Sequence, residues 1–237
     1  MSSVPLHISI SEKLRQQIEA GDYQPGEKLP SEHQLMEVFN VSRITVRRAV
    51  ANLVSQGLAN SQQGKGVFVT PQKKVAYSLA SPLIFLERDL ARKGIQLTFK
   101  NLAFRKVQAP KEVQDTLQLP HKSTVYFQKK LLSMDGAVGA IDESYLVSEL
   151  GQQLRTELKQ QMTFPTLEAH GIEIERIDAV IECTHADYET SKHLEVPLGQ
   201  PLIVYRYTTY VATQKPILYG ETISRADRFC YSLSLEK

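Results

Sequence analysis

The sequence predicts an α+β protein of two domains: a small N-terminal domain of helices and one β-ribbon, and a larger domain with a mostly antiparallel sheet. Up to Gly57, apolar residues recur every three or four positions, which is typical of helices. Beyond residue 96, long strand-like segments alternate with short helical ones, and an Asp-Gly turn joins two of the strands. A length of 237 residues accommodates two modest domains.

The first helix is expected from Leu6 to Ala20 and should end at Gly21, a residue that tolerates the left-handed conformation at helix ends. The segment Asp22–Lys28 contains Pro25-Gly26 and is interpreted as a turn-rich connection. The apolar residues of this helix recur every four positions, which predicts one buried face: Leu6, Ile10, Leu14 and Ile18.

Two short helices follow, joined by a tight turn at Asn40-Val41. Ser31 is placed to cap the first helix, and Gln34 is placed to complete a capping box. Ser42 is placed to cap the second helix. The helix capped by Ser31 has a short apolar face of Leu35, Val38 and Phe39. The helix capped by Ser42 has an apolar face of Val46, Ala49, Val50 and Leu53.

The other face of the second helix carries Arg43, Thr45 and Arg47 in its first two turns. Arg43 and Arg47 are one turn apart and therefore project together. Arginine pairs bidentately with guanine, and threonine offers a hydroxyl or a methyl to base edges. The pattern therefore favours a helix that enters the major groove of DNA, although two arginines on a short helix also suit a solvated face.

A β-ribbon is predicted next, with strands at Leu58–Gln63 and Val67–Thr70 joined by Gly64-Lys65-Gly66. The glycines allow the tip to approach another backbone closely, and Lys65 adds a positive charge. These properties suit a wing that contacts a phosphate backbone or the minor groove.

Three segments of this region, LPSE, VSR-x-TVR and QGKG-x-FV, resemble the winged helix-turn-helix domain of the GntR superfamily of bacterial transcription regulators. The resemblance implies that the matching residues contact DNA: Arg43, Thr45, Arg47, Gly64 and Lys65. The family often has arginine after LPSE, where this chain has His33. An isolated histidine is mostly neutral at pH 7, so one phosphate contact is expected to be weaker or pH-dependent here.

We expect a DNA-binding domain at residues 1–70, a linker at 71–80 and a second domain at 81–237. In the second domain, helices are expected at Pro82–Lys93, from Pro110 to Gln118, near Glu149–Gln161, and at Pro165–His170 and Asp187–Glu195. Strands are expected at Gln96–Val107, Thr124–Ser133, Val138–Leu146, Ile172–Thr184, Pro201–Ala212, Pro216–Ser224 and Phe229–Leu235.

The second domain resembles the effector-binding (UTRA) domain of the HutC-type branch of the same superfamily, whose fold is shared with chorismate lyase. The resemblance rests on a D-G turn followed by AIDESYL, then LEAHGIEI, LEVPLGQPLIVYRY and SRADRF. It implies a small-molecule effector. In members that bind sugar phosphates, two arginines precede the D-G turn and an acid follows it. Here those positions hold Lys130, Leu132 and Asp142.

The resemblance therefore implies Lys130 and Asp142 as effector-binding residues, with one of the family's two positive charges lost at Leu132. Asp142 and Glu143 are adjacent in a strand, so only one of them can face a pocket, and the match favours Asp142. An anionic metabolite is the expected effector class, although the lost arginine leaves its identity open.

Three further residues are weaker effector-binding candidates. Ser81 precedes Pro82 at a helix start, where it is either a plain N-cap or part of an anion site. Arg206 and Glu221 lie on late strands and either line the cleft or belong to the surface. The segment Arg225–Arg228 is interpreted as a structural ion-pair cluster.

Composition excludes several classes of protein. Net charge is +2 overall, divided as +3 over residues 1–74 and −1 over the rest, which has the sign expected for an N-terminal DNA-binding domain. Two cysteines are too few for a disulfide framework, and no apolar run suits a membrane span or a signal peptide, so a cytoplasmic location is expected. The spacing of Cys183, His185 and Asp187 is too loose to predict a metal site, and no cofactor motif is present.

These observations predict a ligand-responsive repressor that binds a near-palindromic double-stranded operator as a homodimer. One alternative is a chorismate-lyase-like enzyme domain fused to a DNA-binding domain, although no acid–base pair requires it. A second alternative is a structural DNA-binding protein without an effector, which a domain with no cleft would support.

Overall fold

The computed structural model of the chain describes residues 4–62, 64–70, 74–79, 85–212 and 214–233. The chain divides into two compact units, Met1–Lys74 and Val75–Lys237, which we call the N-terminal and C-terminal domains. Within the described ranges, no helix is both long and apolar enough to cross a membrane.

The N-terminal domain consists of three helices and a two-stranded antiparallel ribbon. Its elements are α1 (Leu6–Ala20), α2 (Glu32–Phe39), α3 (Arg43–Ser55), β1 (Ala59–Gln62) and β2 (Gly66–Val69). All five agree in kind with the sequence prediction. The helix α1 ends at Gly21, whose φ of 86° is left-handed as expected.

The caps of α2 and α3 form as predicted. The Ser31 hydroxyl accepts a hydrogen bond from the Gln34 amide (3.3 Å), and the Gln34 side chain accepts one from the Ser31 amide (2.8 Å). Asn40 ends α2 with a φ of 51°, and Ser42 caps α3 by accepting from the Thr45 amide. These local bonds fix the turn between the two helices, and so the direction in which α3 leaves it.

The core of this domain lies between α1, α2, α3 and the ribbon. Its fully buried members include Leu14, Leu35, Val46 and Leu53, as their spacing predicts. The expectation that Val38 belongs to the buried face is wrong, because its side chain is 72% exposed. The helix α2 is only eight residues long, so it presents a narrow buried stripe around Leu35.

The segment before α2 extends the ribbon, a feature that the sequence analysis missed. The Leu29 amide donates to the Val67 carbonyl (2.8 Å), and the Val69 amide donates to the Glu27 carbonyl (2.8 Å). The interpretation of Asp22–Lys28 as a connection of turns is therefore incomplete. Its last residues pair with β2 and anchor the wing to the helices.

The C-terminal domain contains six helices and eight strands in the described residues. The helices are α4 (Leu86–Arg92), α5 (Lys111–Thr116), α6 (Ser148–Gln153), α7 (Arg155–Gln160), α8 (Thr163–Ala169) and α9 (Tyr188–Leu194). The strands are β3 (Val75–Ser78), β4 (Leu97–Gln108), β5 (Thr124–Met134), β6 (Ala137–Val147), β7 (Ile174–His185), β8 (Pro201–Val211), β9 (Pro216–Arg225) and β10 (Phe229–Ser232).

Six of these strands form one antiparallel sheet in the order β4-β5-β6-β9-β8-β7, which confirms the predicted α+β class. Asp135 and Gly136 join β5 to β6 with φ values of 50° and 78°, as expected for the predicted tight hairpin. One core of the domain packs on a face of this sheet against α5, α7 and α8.

The strand β3 occupies part of the predicted linker. Residues Val75–Ser78 pair in parallel with β10, from Val75 opposite Phe229 to Ser78 opposite Ser232. The placement of all of 71–80 in a linker is therefore wrong. The error arose because the partner strand lies about 150 residues away in sequence, beyond the reach of any local pattern.

The helix α4 begins later than predicted. Phe85 is its N-cap, with an extended conformation at φ −69° and ψ 153°, so the helix starts at Leu86 rather than at Pro82. The proposed cap residue, Ser81, lies outside the described residues.

Matched valine substitutions test the packing of the N-terminal domain. Val46→Ala is expected to lower its free energy of unfolding by about 2 kcal/mol, because it removes two buried methyl groups and leaves a cavity. Val38→Ala is expected to change it little, since that side chain is exposed. Hydrogen-exchange mass spectrometry of α3 peptides across a denaturant series measures both. Equal losses would contradict the orientation of α2.

Candidate functional site

The first two turns of α3 present two arginines to solvent. The side chains of Arg43 and Arg47 are 64% and 70% exposed. Both face Glu32 of α2, with Nε to carboxylate oxygen distances of 3.9 Å for Arg43 and 3.5 Å for Arg47. Exposed ion pairs of this kind are weak, so both guanidinium groups remain available to another anion.

Two residues beside these arginines have distinct environments. The Thr45 hydroxyl lies 3.0 Å from the Ser42 hydroxyl at the helix start, so its methyl is the freer part of the side chain. Ile44, which the sequence analysis did not single out, is 68% exposed. An exposed apolar residue between two arginines suits contact with a thymine methyl group.

The tip of the wing has the backbone that its glycines permit. Gly64 and Gly66 have φ values of 73° and 121°, which side-chain-bearing residues rarely adopt. A Cβ on Gly66 would lie 2.5 Å from Cε of Lys28. Lys28 therefore packs against Gly66 at the wing and adds a second ammonium there, which sequence reasoning missed.

On one face of the C-terminal sheet, side chains surround a partly open cavity of about 500 Å³, including the space at its mouth. Strand alternation places Asp142, Thr222 and Tyr205 side by side on this face, because these residues are register partners on β6, β9 and β8. The cavity is lined by Tyr77, Leu86, Glu87, Leu132, Asp142, Met162, Thr163, Phe164, Tyr205, Tyr207, Thr222, Phe229 and Tyr231.

Two of the predicted effector residues meet on this face. Lys130 and Asp142 are direct register partners on β5 and β6, and both are buried. Asp142 accepts hydrogen bonds from Thr222 (3.0 Å) and Tyr207 (3.2 Å). The Lys130 ammonium donates to the Gln161 carbonyl (2.6 Å) and lies 4.8 Å from the centre of the Phe99 ring.

Burial moves the pKa values of this pair in opposite directions. Burial raises the pKa of Asp142, an effect that the Lys130 charge and the two hydrogen bonds oppose. Burial lowers the pKa of Lys130 to about 8, which the nearby carboxylates oppose. In each group the charge of the partner therefore opposes the effect of burial and favours the charged form.

A third charged group, Glu87 on α4, was missed by sequence reasoning. It lines the cavity, and its Oε2 atom is buried with no hydrogen-bond partner among the described residues. Burial raises its pKa to about 7, and the charge of Asp142 adds to this shift. A polar position on the first turn of an ordinary amphipathic helix gives no sequence signal for this role.

The structure does not place Arg206 and Glu221 in the cavity. They are register partners on β8 and β9, one residue away from the cavity-lining Tyr205 and Thr222, and so face the opposite side of the sheet. There, Nε of Arg206 donates to Glu221 (2.6 Å), and the guanidinium also pairs with Glu182. Of the two alternatives left open for these residues, cleft lining or surface, their position away from the cavity of Asp142 favours the surface. Glu143 lies on that outer face too, as predicted.

The remaining candidates have structural roles in the described residues. Arg225 forms a buried ion pair with Asp227 (2.6 Å), as the ion-pair interpretation of this segment predicts. Asp187 accepts a hydrogen bond from the Thr190 amide (2.8 Å) and caps α9. No group of three or more His, Cys, Asp or Glu residues suited to a metal occurs in the described part of the chain.

Two known families match the chain, one in each domain. The profile of bacterial regulatory proteins of the gntR family matches residues 7–69, and that of the UTRA domain matches residues 92–230. The chain is a GntR-family regulator with a UTRA domain. It is thus a DNA-binding transcription regulator with an effector-binding domain.

Individual proteins resemble the chain over nearly its whole length. The HTH-type transcriptional repressor NagR of Bacillus subtilis is 28% identical, over 97% of this chain and 94% of NagR. The mannosyl-D-glycerate transport/metabolism system repressor MngR of Escherichia coli is 25% identical, over 100% of this chain and 98% of MngR. The crystal structure of PhnF from Mycobacterium smegmatis has a TM-score of 0.66 at 18% identity, over 96% and 99%, and shows the shared fold.

The buried carboxyl of Glu87 should make stability pH-dependent. Its pKa is raised from 4.5 to about 7, so between these values the folded state keeps a proton that the unfolded chain loses, and stability falls as pH rises. Glu87→Gln removes this loss. Its free energy of unfolding relative to wild type is expected to rise by about 2–3 kcal/mol from pH 5 to pH 8.

Denaturant titrations followed by tyrosine fluorescence measure this difference. The control is Glu143→Gln on the outer face. It breaks the 2.8 Å ion pair with Lys129, so its free energy of unfolding should be lower than that of wild type. A Glu87→Gln variant whose relative stability stays flat from pH 5 to pH 8 would disprove the raised pKa.

Proposed function

We propose that the protein is a repressor that acts in the cytoplasm, binds a near-palindromic operator as a homodimer and leaves it when a small molecule occupies the C-terminal cavity. The observation that carries the proposal is the pair of exposed arginines on α3, held beside each other by Glu32. The relatives named as repressors, NagR and MngR, support the direction of regulation.

In the proposed complex, α3 enters the major groove. Arg43 and Arg47 contact base edges through their guanidinium groups, and Thr45 contributes its methyl. Gly64 allows the wing to approach the phosphate backbone, and Lys65 neutralises a phosphate. The ion pairs with Glu32 are exchanged for DNA contacts, because a guanidinium gains more from a fixed base edge or phosphate than from an exposed carboxylate.

The cavity is connected to the N-terminal domain through the chain itself. Tyr77 lines the cavity from β3, the strand that directly follows the domain boundary after Lys74. A ligand that moves β3 would act on the segment that carries the DNA-binding domain. Release then requires the ligand to prefer the arrangement in which two such domains cannot both reach their half-sites.

The homodimer is proposed to form along β7, an edge strand of the large sheet. This strand is 12 residues long and mostly exposed, and it carries Val180 and Ile181 with 57% and 48% exposure. These two neighbours project from opposite faces, so the edge is apolar on both sides. Two copies of one edge can pair antiparallel about a two-fold axis, which satisfies the open backbone groups of both.

The alternative of a chorismate-lyase-like enzyme has less support. The matching families are described as regulatory proteins and as a UTRA domain. The cavity carboxylates, Asp142 and Glu87, are also accounted for by ligand binding, as argued below. Turnover of chorismate by the purified protein would revive the alternative.

Operator binding tests the proposed recognition surface. With a site isolated from a random DNA pool, Arg43→Ala is expected to weaken binding by about 1–3 kcal/mol and to relax sequence preference at one position. Lys65→Ala is expected to weaken binding evenly across sequences and to flatten the salt dependence. Fluorescence anisotropy over a salt series measures both effects.

Arg15→Ala is the matched control, because Arg15 lies on α1 and pairs with Glu12 and Glu19 instead. Wild-type affinity and sequence preference in Arg43→Ala would exclude α3 as the recognition helix.

The proposed dimer is tested on the β7 edge. Val180→Lys places a charge on each copy at the proposed interface and is expected to shift the chain towards monomer by at least about tenfold in dissociation constant. Thr98→Lys, on the exposed edge strand β4 at the other end of the sheet, is the control. Sedimentation equilibrium measures both variants. A Val180→Lys dimer as tight as wild type would move the interface elsewhere.

A further inference from the structure

The charges around the cavity do not balance. Two carboxyl groups, Glu87 and Asp142, line it, whereas no lysine, arginine or histidine is among the described residues that do so. The positive charge of Lys130, the register partner of Asp142, acts on both carboxyl groups. When both carboxyl groups are ionised, one ammonium faces two negative charges in a poorly hydrated place. Either a carboxyl group must then keep a proton, as the raised pKa of Glu87 reflects, or a further cation must enter the cavity.

Lys130 is not free to bind a ligand. Its side chain is fully buried, its ammonium donates to the Gln161 carbonyl at 2.6 Å, and the Phe99 ring lies 4.8 Å away. Asp142 is likewise occupied on Oδ1, which accepts from both Tyr207 and Thr222. By contrast, the buried Oε2 of Glu87 has no partner among the described residues and needs a hydrogen-bond donor.

The walls of the cavity favour a cation as well. Six aromatic rings line it, four of them from tyrosine, and they contact one another. The ring centres of Tyr205 and Tyr231 are 5.1 Å apart, and those of Tyr205 and Tyr207 are 5.5 Å apart. The negative faces of such rings attract an ammonium group, and the rings also cover an apolar body.

We propose that the effector is a small organic amine: a protonated primary or secondary ammonium on an apolar or aromatic body, without a phosphate or carboxylate. The ammonium donates hydrogen bonds to Glu87 and is balanced by Glu87 and Asp142. The body lies among the tyrosines, Phe164 and Phe229. This inference rests on the proposed function, since it names the ligand class of the same cavity.

An anionic effector, the class expected from sequence, fits these residues poorly. Leu132 is buried and lines the cavity where a second cation would be needed, and Lys130 is engaged elsewhere. A phosphate or carboxylate would lie against Glu87 and Asp142 and be repelled. A neutral polyol would require Glu87 to stay protonated as a donor, which gives the opposite pH dependence from an amine.

The test uses benzylamine, with benzyl alcohol and benzoate as neutral and anionic analogues of nearly equal shape. Binding of each to the full-length protein is measured by calorimetry, and operator release is measured in parallel by anisotropy. Benzylamine is expected to bind at least about tenfold more tightly than either analogue and to weaken operator binding. Benzyl alcohol or benzoate binding as tightly as benzylamine would overturn the proposal.

Two variants distinguish benzylamine binding in the cavity from effects elsewhere on the protein. Glu87→Gln keeps the shape and removes the charge, so it should lose at least about tenfold in benzylamine affinity. Glu143→Gln faces the other side of the sheet and should keep that affinity. Equal benzylamine affinity in Glu87→Gln and Glu143→Gln would contradict the assigned site.

The pH dependence gives a readout that packing alone would not change. Glu87 must be ionised to bind an ammonium, so benzylamine affinity should rise several-fold from pH 6 to pH 8. The other charged groups that act on Glu87 are Asp142 on β6, Lys130 on β5 and Glu168 on α8. A fall in affinity over this range would favour a neutral ligand.

Failure of this inference is distinct from failure of the proposed function. If none of the three compounds weakens operator binding and an anionic or neutral metabolite does release the operator, the amine proposal is wrong. The proposal that the protein is a ligand-released repressor would still stand. Absence of any sequence-specific DNA binding would instead overturn the proposed function.

Discussion

The hydrogen-bond register of the four central strands decides which charged side chains meet in the C-terminal domain. Two rows of register partners cross β5, β6, β9 and β8, one residue apart. The row on the cavity face is Lys130, Asp142, Thr222 and Tyr205. The row on the outer face is Lys129, Glu143, Glu221 and Arg206. A slip of one residue in β6 would place Glu143 on the cavity face and turn Asp142 to the outer face.

The two rows differ in how their charges are satisfied. On the outer face, Lys129 pairs with Glu143 and Arg206 pairs with Glu221, in partial contact with water. On the cavity face, charges are buried, and Oε2 of Glu87 on α4 has no donor in the described part of the chain. The outer row can stabilise the sheet modestly, whereas the inner row costs free energy in the empty domain. A domain that keeps such a cost in its cavity gains most when a complementary ligand removes it.

Local chemistry made much of the fold predictable. The caps at Ser31 and Ser42, the left-handed Asn40 and the Asp135-Gly136 turn all depend on residues within four positions of one another. The helix α1 was predicted to its last residue for the same reason. The buried Lys130 and Asp142 were located only through a family resemblance, since a lysine and an aspartate in two strands carry no pattern of their own.

Features that depend on distant pairing were not predictable. Arg206 and Glu221 are opposite each other on β8 and β9, but alternation within each strand leaves open which face of the sheet carries the cavity. The pairing of β3 with β10 joins residues at opposite ends of the domain, so Val75–Ser78 looked like a linker. The prediction that Val38 is buried was wrong for a different reason. Three apolar residues on an eight-residue helix do not determine which of them the core covers.

The pairing of β3 with β10 also constrains how the protein matures on the ribosome. The N-terminal domain is complete once residue 74 has emerged, and it contains all of its own core. The cavity, by contrast, takes Tyr77 from the first strand of its domain and Tyr231 from the last described one. A nascent chain therefore holds a complete DNA-binding domain before it holds a complete cavity, and the cavity can form only after β10 has emerged from the ribosome.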